Sequence, residues 1–293
     1  MPTRSPRPPT YTLSQVSARS PLLNAWPFNA SNPLGQIGLH SHQCLSILFF
    51  EQGTGFYQLG QRTVTIYPGA VVLVPPGELH SWDAAYNLTG WLLFFMAEAV
   101  PHVGAPPSLW WNDPLLAPFT HQSPHPGATF TLSSSLMPLW SAWMQTIHNE
   151  VRHERADHVA AACAYLTLLL VDLARLAQPD LARRTARVQP LLSAVFAYID
   201  QAYHQPISLA AVAAAAGLTP GHLTTVVRRH TGRTVVQWLQ ERRMAAARRQ
   251  LVETDDSVAA IATEVGYRDV AYFTRLFRRA HGMPPLAWRK AAR

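Results

Sequence analysis

Two sets of residues in this chain have types and spacings that can do chemistry. The first is a group of histidines. His40-Ser41-His42 opens a strand-like run, and His80 ends the stretch Pro75-Pro76-Gly77-Glu78-Leu79-His80. Alternation along a strand puts His40, His42, Cys44 and Ser46 on one face. If that face points inward, His80 joins His40 and His42 as a three-imidazole group. Neutral imidazole suits zinc, copper, iron or nickel. The same three would serve equally as a polar patch in an organic-ligand pocket, or as ordinary structural histidines. Cys44 beside them would permit a thiol or metal sensor. Phe49, Phe56, Tyr57, Trp82, Trp91 and Phe94 add faces that stack on sugar rings or aromatic acids, or that simply fill a core.

The second set is cationic and repeated. Ser208–Gly217 (SLAAVAAAAG) matches Ser257–Gly266 (SVAAIATEVG) at five of ten positions, 49 residues apart. Downstream, Val227-Arg228-Arg229 answers Phe277-Arg278-Arg279 at an offset of 50. Each copy reads as a short Ala-rich helix, a glycine turn and a second helix. Gly217 and Gly266 allow the left-handed conformation that stops the first helix. Thr219-Pro220 caps and starts the second helix of copy one. Leu223 and Val227, and likewise Phe273 and Phe277, sit four apart and face a core. The opposite faces carry His222, Thr224, Thr225 and Arg228 in copy one. In copy two they carry Arg268, Ala271, Tyr272, Thr274, Arg275 and Arg278. A polar, cationic helix held proud of the body fits a major groove about 12 Å wide. A repeated hairpin for protein contact is the alternative.

The elements that position these groups divide the chain of 293 residues in two. Residues 1–10 are rich in Pro and Arg and read as disordered. Residues 11–132 show short apolar runs punctuated by Gly and Pro, which predicts a barrel or sandwich. Residues 133–178 predict two helices. In the second, Val159, Cys163, Leu166, Leu170 and Leu173 fall on one face and form either a dimer seam or a stripe packed on the barrel. Residues 179–187 read as a linker and 188–293 as the duplicated helical domain, with one long helix over Val235–Leu251 between the copies. The net charge of +7 is uneven. The chain up to Gln178 carries −2 and the remainder +9, and a basic half of that size implies a polyanion partner. Two cysteines exclude a disulfide-stapled scaffold and a Cys₄ zinc finger. The longest largely apolar run, Val159–Val171, is shorter than the roughly 20 residues of a membrane span. No secretory signal is visible at the N-terminus.

Residues 188–293 resemble the DNA-binding domain of the AraC/XylS family of transcription regulators. The resemblance is carried by Arg243-Met244 with Ala247 and Leu251, then Val258-Ala259-Ala260-Ile261-Ala262. It continues through Gly266-Tyr267, Tyr272-Phe273, Arg275-Leu276-Phe277-Arg278-Arg279, Gly282 and Pro284-Pro285. Met283 stands where that family usually has Ser or Thr before the second proline. Val227 stands where an aromatic is common. The histidine segments resemble the two motifs of cupin barrels, which this family often carries as its ligand-binding domain. Metal-binding cupins place a Glu near Ser46 and an Asn where Ala84 stands; both are missing here. The missing pair argues against a catalytic metal centre, and no metal, no other cofactor and no catalytic residue is expected, with metal binding by the three histidines left open.

The expected architecture is an all-β cupin-like barrel with appended helices, followed by an all-α double helix-turn-helix domain. The expected function is a cytoplasmic, ligand-responsive transcriptional regulator and not an enzyme. It would be a homodimer and the activator of a catabolic operon, with promoter DNA, RNA polymerase and a sugar or aromatic acid as partners and no membrane. Effector contacts are expected at His40, His42, His80, Trp82 and Trp91. Phosphate contacts are expected at Arg229, Arg243, Arg249 and Arg279, and base contacts at His222, Thr225, Arg268, Tyr272 and Arg275. A metal-dependent cupin enzyme fused to a DNA-binding domain is one alternative. A ligand-independent regulator whose barrel only dimerises is another.

Overall fold

The structure is a computed structural model. It describes residues 8–16, 20, 22–29, 38–100, 113, 115–120, 129–153, 156–184, 189–231 and 233–292. The N-terminal part is built on one sheet. Its strands are β2 (Leu23–Phe28), β4 (Leu45–Leu59), β5 (Arg62–Ile66), β6 (Ala70–Val74), β7 (His80–Phe95) and β8 (Thr129–Thr131). Their order is β2-β7-β4-β6-β8, with β5 paired to β4. A small parallel pair, β1 (Thr10–Tyr11) on β3 (Ser41–His42), lies beside it. Thr10 is therefore in a strand; residues 1–7, where disorder was expected, lie outside the described residues.

Both faces of the sheet are buried, and strand alternation explains how. Leu45, Ile47, Phe49, Val71, Leu73, Trp91, Leu93 and Phe95 face one core; Leu48, Phe50, Val72, Val74, Leu92 and Phe94 face the other. The first core is closed by α3 (Met137–His153), which buries Trp140, Met144, Ile147 and Val151 at helical spacing. The second is closed by the distal halves of the long strands with β5, through Tyr57, Leu59, Val64 and Ile66. Register shifts between Phe50 and Gln52, Gln52 and Thr54, and Phe56 and Gln58 interrupt the β4–β7 ladder, and bulges of this kind bend strands. Among the described residues the sheet does not close, because β2 pairs only with β7 and β8 only with β6. The barrel expectation is corrected here to an open, bent sheet. Short apolar runs count strands, but they say nothing about whether the two edges meet.

The helix α4 (His158–Arg184) corrects two further expectations. It runs on through most of the supposed linker, since Leu, Ala and Arg after Pro179 are strong helix formers; residues 185–187 lie outside the described residues. Its apolar stripe is also not free. Leu166, Leu170 and Leu173 are completely buried in the core shared with α3, and only Val159 and Cys163 remain partly exposed. The chain's own fold uses the seam assigned to a dimer. His158–Ala177 is long and apolar enough to cross a membrane by length and composition alone, but those leucines pack against this chain's own core.

The helical part comprises α5 (Gln189–Ala202), α6 (Leu209–Ala215), α7 (Pro220–Thr231), α8 (Val235–Glu253), α9 (Val258–Glu264), α10 (Val270–His281) and α11 (Pro285–Ala292). Ser208 and Ser257 cap α6 and α9 in the same way, each accepting from the backbone N–H three residues on. Gly217 (φ 66°) and Gly266 (φ 92°) stand at the two turns in the left-handed region. The helices α6 and α7 meet at 82°. Thr234 and Gln237 form a reciprocal capping box at the start of α8.

Candidate nucleic-acid interface and ligand site

The second helix of each repeat presents the face expected of it. In α7, Leu223 and Val227 are fully buried, while His222, Thr225, Arg228 and Arg229 are exposed and Thr224 is half-buried. In α10, Phe273 and Phe277 are fully buried, while Tyr272, Arg275, Arg278 and Arg279 are exposed and Thr274 is half-buried. Arg268 stands exposed in the turn before it. The N-terminus of α10 is capped by Asp269, which accepts from Ala271 and Tyr272 N–H. The Arg275 guanidinium lies 6.0 Å from the Tyr272 ring centroid, so the two form one cationic and aromatic surface. The hydroxyls of Thr224 and Thr225 donate back to the carbonyls of Pro220 and Gly221, which leaves their lone pairs outward.

Arg243 does not belong to this surface. Its Nε donates to Tyr203 O at 2.7 Å and its Nη2 to Gln205 O at 2.8 Å, and its guanidinium lies over the Tyr267 ring. Carbonyls left open past the end of α5 take its donors, so its role as a phosphate contact is corrected to a structural tie. Arg249 is exposed and faces Glu253 at 3.6 Å.

A third arginine of α8 is buried. Arg248 is 2% exposed; it donates through Nε to Glu98 at 2.8 Å and also pairs with Glu241 and with His281 Nε2. Glu98 belongs to the sheet domain, immediately after β7. Nearby, Arg233 Nη2 donates to Pro76 O at 3.0 Å and Arg233 Nη1 lies 3.8 Å from Glu241. A cavity of about 300 Å³ sits beside these contacts, lined by Ser41, Gln43, Glu78, Arg233, Gln237 and Gln240 among others. The sequence reading missed this junction. One signal was available: Met244, Ala247, Arg248 and Leu251 share a helical face, so Arg248 falls on an apolar stripe.

In the sheet domain, His40, His42 and His80 do come together. The backbones of His40 and His80 bridge in both directions, His40 N–H to His80 O at 3.0 Å and His80 N–H to His40 O at 2.8 Å. Ring centroids are 4.3 Å apart for His40–His80, 4.8 Å for His40–His42 and 4.9 Å for His42–His80. Tyr11, Tyr57 and Phe94 surround them. Burial, and then the neighbouring imidazoles, push His42 down to about 2 and His80 to about 4. Burial likewise pushes the Cys44 thiol up to about 12, which removes it as a reactive thiolate. Trp91 is not part of this group. It lies in the other core, donates Nε1–H to Glu51 and packs near His148. Phe94 supplies the face opposite, because the two differ by three positions along one strand. The side chain of Trp82 lies outside the described residues.

Comparisons with known proteins agree with both halves. Residues 30–100 match the model of an AraC-like ligand binding domain, and residues 212–291 match a helix-turn-helix domain. The chain is 26% identical over 254 residues to the MmsAB operon regulatory protein of Pseudomonas aeruginosa, covering 84% of this chain and 75% of that one. It is 26% identical over 258 residues to the transcriptional activator RhaS of Klebsiella pneumoniae, covering 84% and 85%. Among solved structures, the DNA-binding domain of AdpA in complex with a target DNA matches at 31% identity with a TM-score of 0.33. That match covers 35% of this chain and 91% of that one.

Proposed function

The chain belongs to the AraC family of ligand-responsive transcription regulators, a family of non-enzymes, and from that premise we propose that it activates a catabolic operon in the cytoplasm in response to a small metabolite. The observation that carries this reading is the doubled presentation of a capped, polar, cationic helix on one body. In the proposal α7 and α10 enter successive major grooves, about 34 Å apart on one face of the duplex. His222, Thr225, Arg268, Tyr272 and Arg275 read base edges, with Thr224, Thr274, Arg228 and Arg278 flanking them on the same faces. Arg229, Arg249 and Arg279 hold phosphates. RNA polymerase and a second copy of the chain complete the assembly. If a homodimer forms, it does so through a surface other than the stripe Leu166–Leu170–Leu173.

In this reading residues 30–100 sense the effector, a sugar or aromatic acid. His40, His42, His80 and Trp82 are the groups proposed to hold it. The effector acts by differential affinity for two arrangements of the junction at Arg233 and Arg248. Footprinting of bound promoter sites, followed by affinity measurements on the site found, tests the reading. Arg275→Ala should cost about 1–3 kcal/mol and relax preference at one base. Affinity should fall steeply with salt. Unchanged affinity and unchanged preference in Arg275→Ala would remove α10 from the reading surface.

A further inference from the structure

The histidine group has a property that an organic-ligand pocket does not require. His40 Nδ1 lies 2.7 Å from Gly38 O, and His80 Nδ1 lies 2.9 Å from Glu78 O. A carbonyl oxygen only accepts, so both Nδ1 atoms carry their proton. In a neutral imidazole the other nitrogen, Nε2, is then a bare lone pair. His40 Nε2 lies 3.1 Å from His42 Nε2, so the proton of that contact comes from His42. This leaves His42 Nδ1 as an acceptor, and it is buried with no hydrogen-bond partner among the described residues. Three neutral imidazoles carry three protons and three lone pairs, but two of the protons go to backbone carbonyls, so the lone pairs left to one another outnumber the one remaining proton.

A cation with several empty acceptor orbitals relieves that excess of lone pairs directly. One nitrogen from each of the three imidazoles lies within 4.8 Å of those of the other two. Bonds of about 2.0–2.1 Å to zinc would draw them to roughly 3.4 Å, a change of side-chain torsion rather than of fold. Anchoring the second nitrogen on a backbone carbonyl is also the usual outer shell of a metal-ligating histidine, because it fixes tautomer and ring direction.

We propose that His40, His42 and His80 form a binding site for a single divalent transition-metal ion of the zinc class. Three neutral imidazoles suffice as protein ligands and leave a fourth position to water or to an oxygen of another ligand. The missing Glu and Asn of metal-binding cupins speak against a catalytic centre of that kind; they do not bear on a three-nitrogen site. Pro75-Pro76-Gly77 connects the site to the junction: Gly77 N–H donates to His42 O at 2.7 Å, and Pro76 O receives Arg233. For its regulatory meaning the inference rests on residues 30–100 being the sensing domain, so metal binding and operator binding are measured separately.

The test is a titration of the full chain with Co²⁺ after dialysis against a chelator, read by visible absorption and by metal analysis. The chain has 13 histidines, so the stoichiometry decides. The expected result is a visible band that saturates at one equivalent, is quenched by Zn²⁺, and is accompanied by a rise in Tm that the chelator reverses. His42→Ala and His80→Gln should lose the band while the exposed His204→Ala keeps it. Absence of a one-equivalent band in the wild-type chain would overturn the site. So would its persistence in both variants. If the two variants do not fold, the wild-type band and Tm response decide. Operator affinity of the metal-free and Zn²⁺-loaded chains then reports on regulation alone: equal affinities leave the site standing and remove its regulatory role.

Discussion

The two helix-turn-helix units have the same serine cap on their first helix, the same glycine turns and the same helix lengths, yet they are built into different cores. The first unit shares one continuous core with the sheet domain: Leu223 and Val227 of α7 and Trp238 of α8 belong with Phe49, Trp91, Trp140 and Leu166. The second unit has its own, formed by Met244 and Leu251 of α8, Ile261 of α9, Phe273 and Phe277 of α10 and Trp288 of α11. The reading faces differ in the same direction. Around α7 lie histidine and threonines with two arginines, whereas the turn before α10 and α10 itself present Arg268, Arg275, Arg278 and Arg279. The difference teaches a division of labour. The self-contained unit carries most of the charge, and the unit fused to the sensing half is the one the sensing half can move or hold.

Truncation of a buried aromatic probes this most strongly. Phe277→Ala should cost about 3–5 kcal/mol, confined to α9–α11 and the end of α8. Amide exchange should show loss of protection there with the sheet unaffected. Protection lost equally across the sheet would mean that the two cores are one cooperative unit.

Arg248 is the buried charge that links the halves, and its loss ranks next. Arg248→Ala leaves Glu98 without its cation and Glu241 with Arg233 alone, and should destabilise by about 3 kcal/mol. A thermal melt should then resolve into two transitions. A single transition at an unchanged Tm would show that the junction contributes nothing.

The two turn glycines give a smaller and more specific contrast. Both have positive φ, so alanine at either is strained by about 1–2 kcal/mol. A Cβ on Gly217 would meet nothing within 4 Å, whereas one on Gly266 would stand 2.9 Å from Tyr203 O and 3.0 Å from His204 O. Gly266→Ala should therefore lower Tm more than Gly217→Ala, and equal losses would contradict the packing described for the second unit.

The smallest effect is on pH dependence. Burial first, and Arg248 second, hold the folded His281 well below its ordinary value. Its stabilising contribution is present above the unfolded value near 6.5 and is lost as pH falls beneath it. His42 and His80 act in the same sense, so the comparison is between wild type and His281→Leu. The Tm gap between them should narrow from pH 7.5 to 5, and a constant gap would remove His281 as a source.

Much of the helical half was legible in the sequence because its determinants are local. Serine caps, turn glycines and apolar pairs four apart lie within a few residues of what they control. The histidine cluster was legible for a similar reason, since alternation alone places His40 with His42 and the cross-strand bridge adds His80. Determinants that join distant segments were not legible. Glu98 and Arg248 are 150 positions apart. Arg243 looked like surface charge because its acceptors, the carbonyls of Tyr203 and Gln205, leave no mark in composition. The stripe on α4 showed that it was apolar without showing whose core it would fill. Trp91 enters the site only through the family resemblance; an odd number of positions from His80, it falls on the opposite face of the strand and in the other core.

The tie at Arg243 has a consequence for the DNA. With its donors on the carbonyls just past α5 and its guanidinium over Tyr267, α8 is braced on both sides as a strut about 28 Å long. A strut of fixed length also fixes angular phase. Each base pair inserted between two half-sites turns one of them by roughly 35° relative to the other. An operator with correct half-sites but one extra base pair would present its second groove rotated away from α10. With α7 and α10 in successive grooves as proposed, the protein would measure the winding of its operator as well as the letters in it.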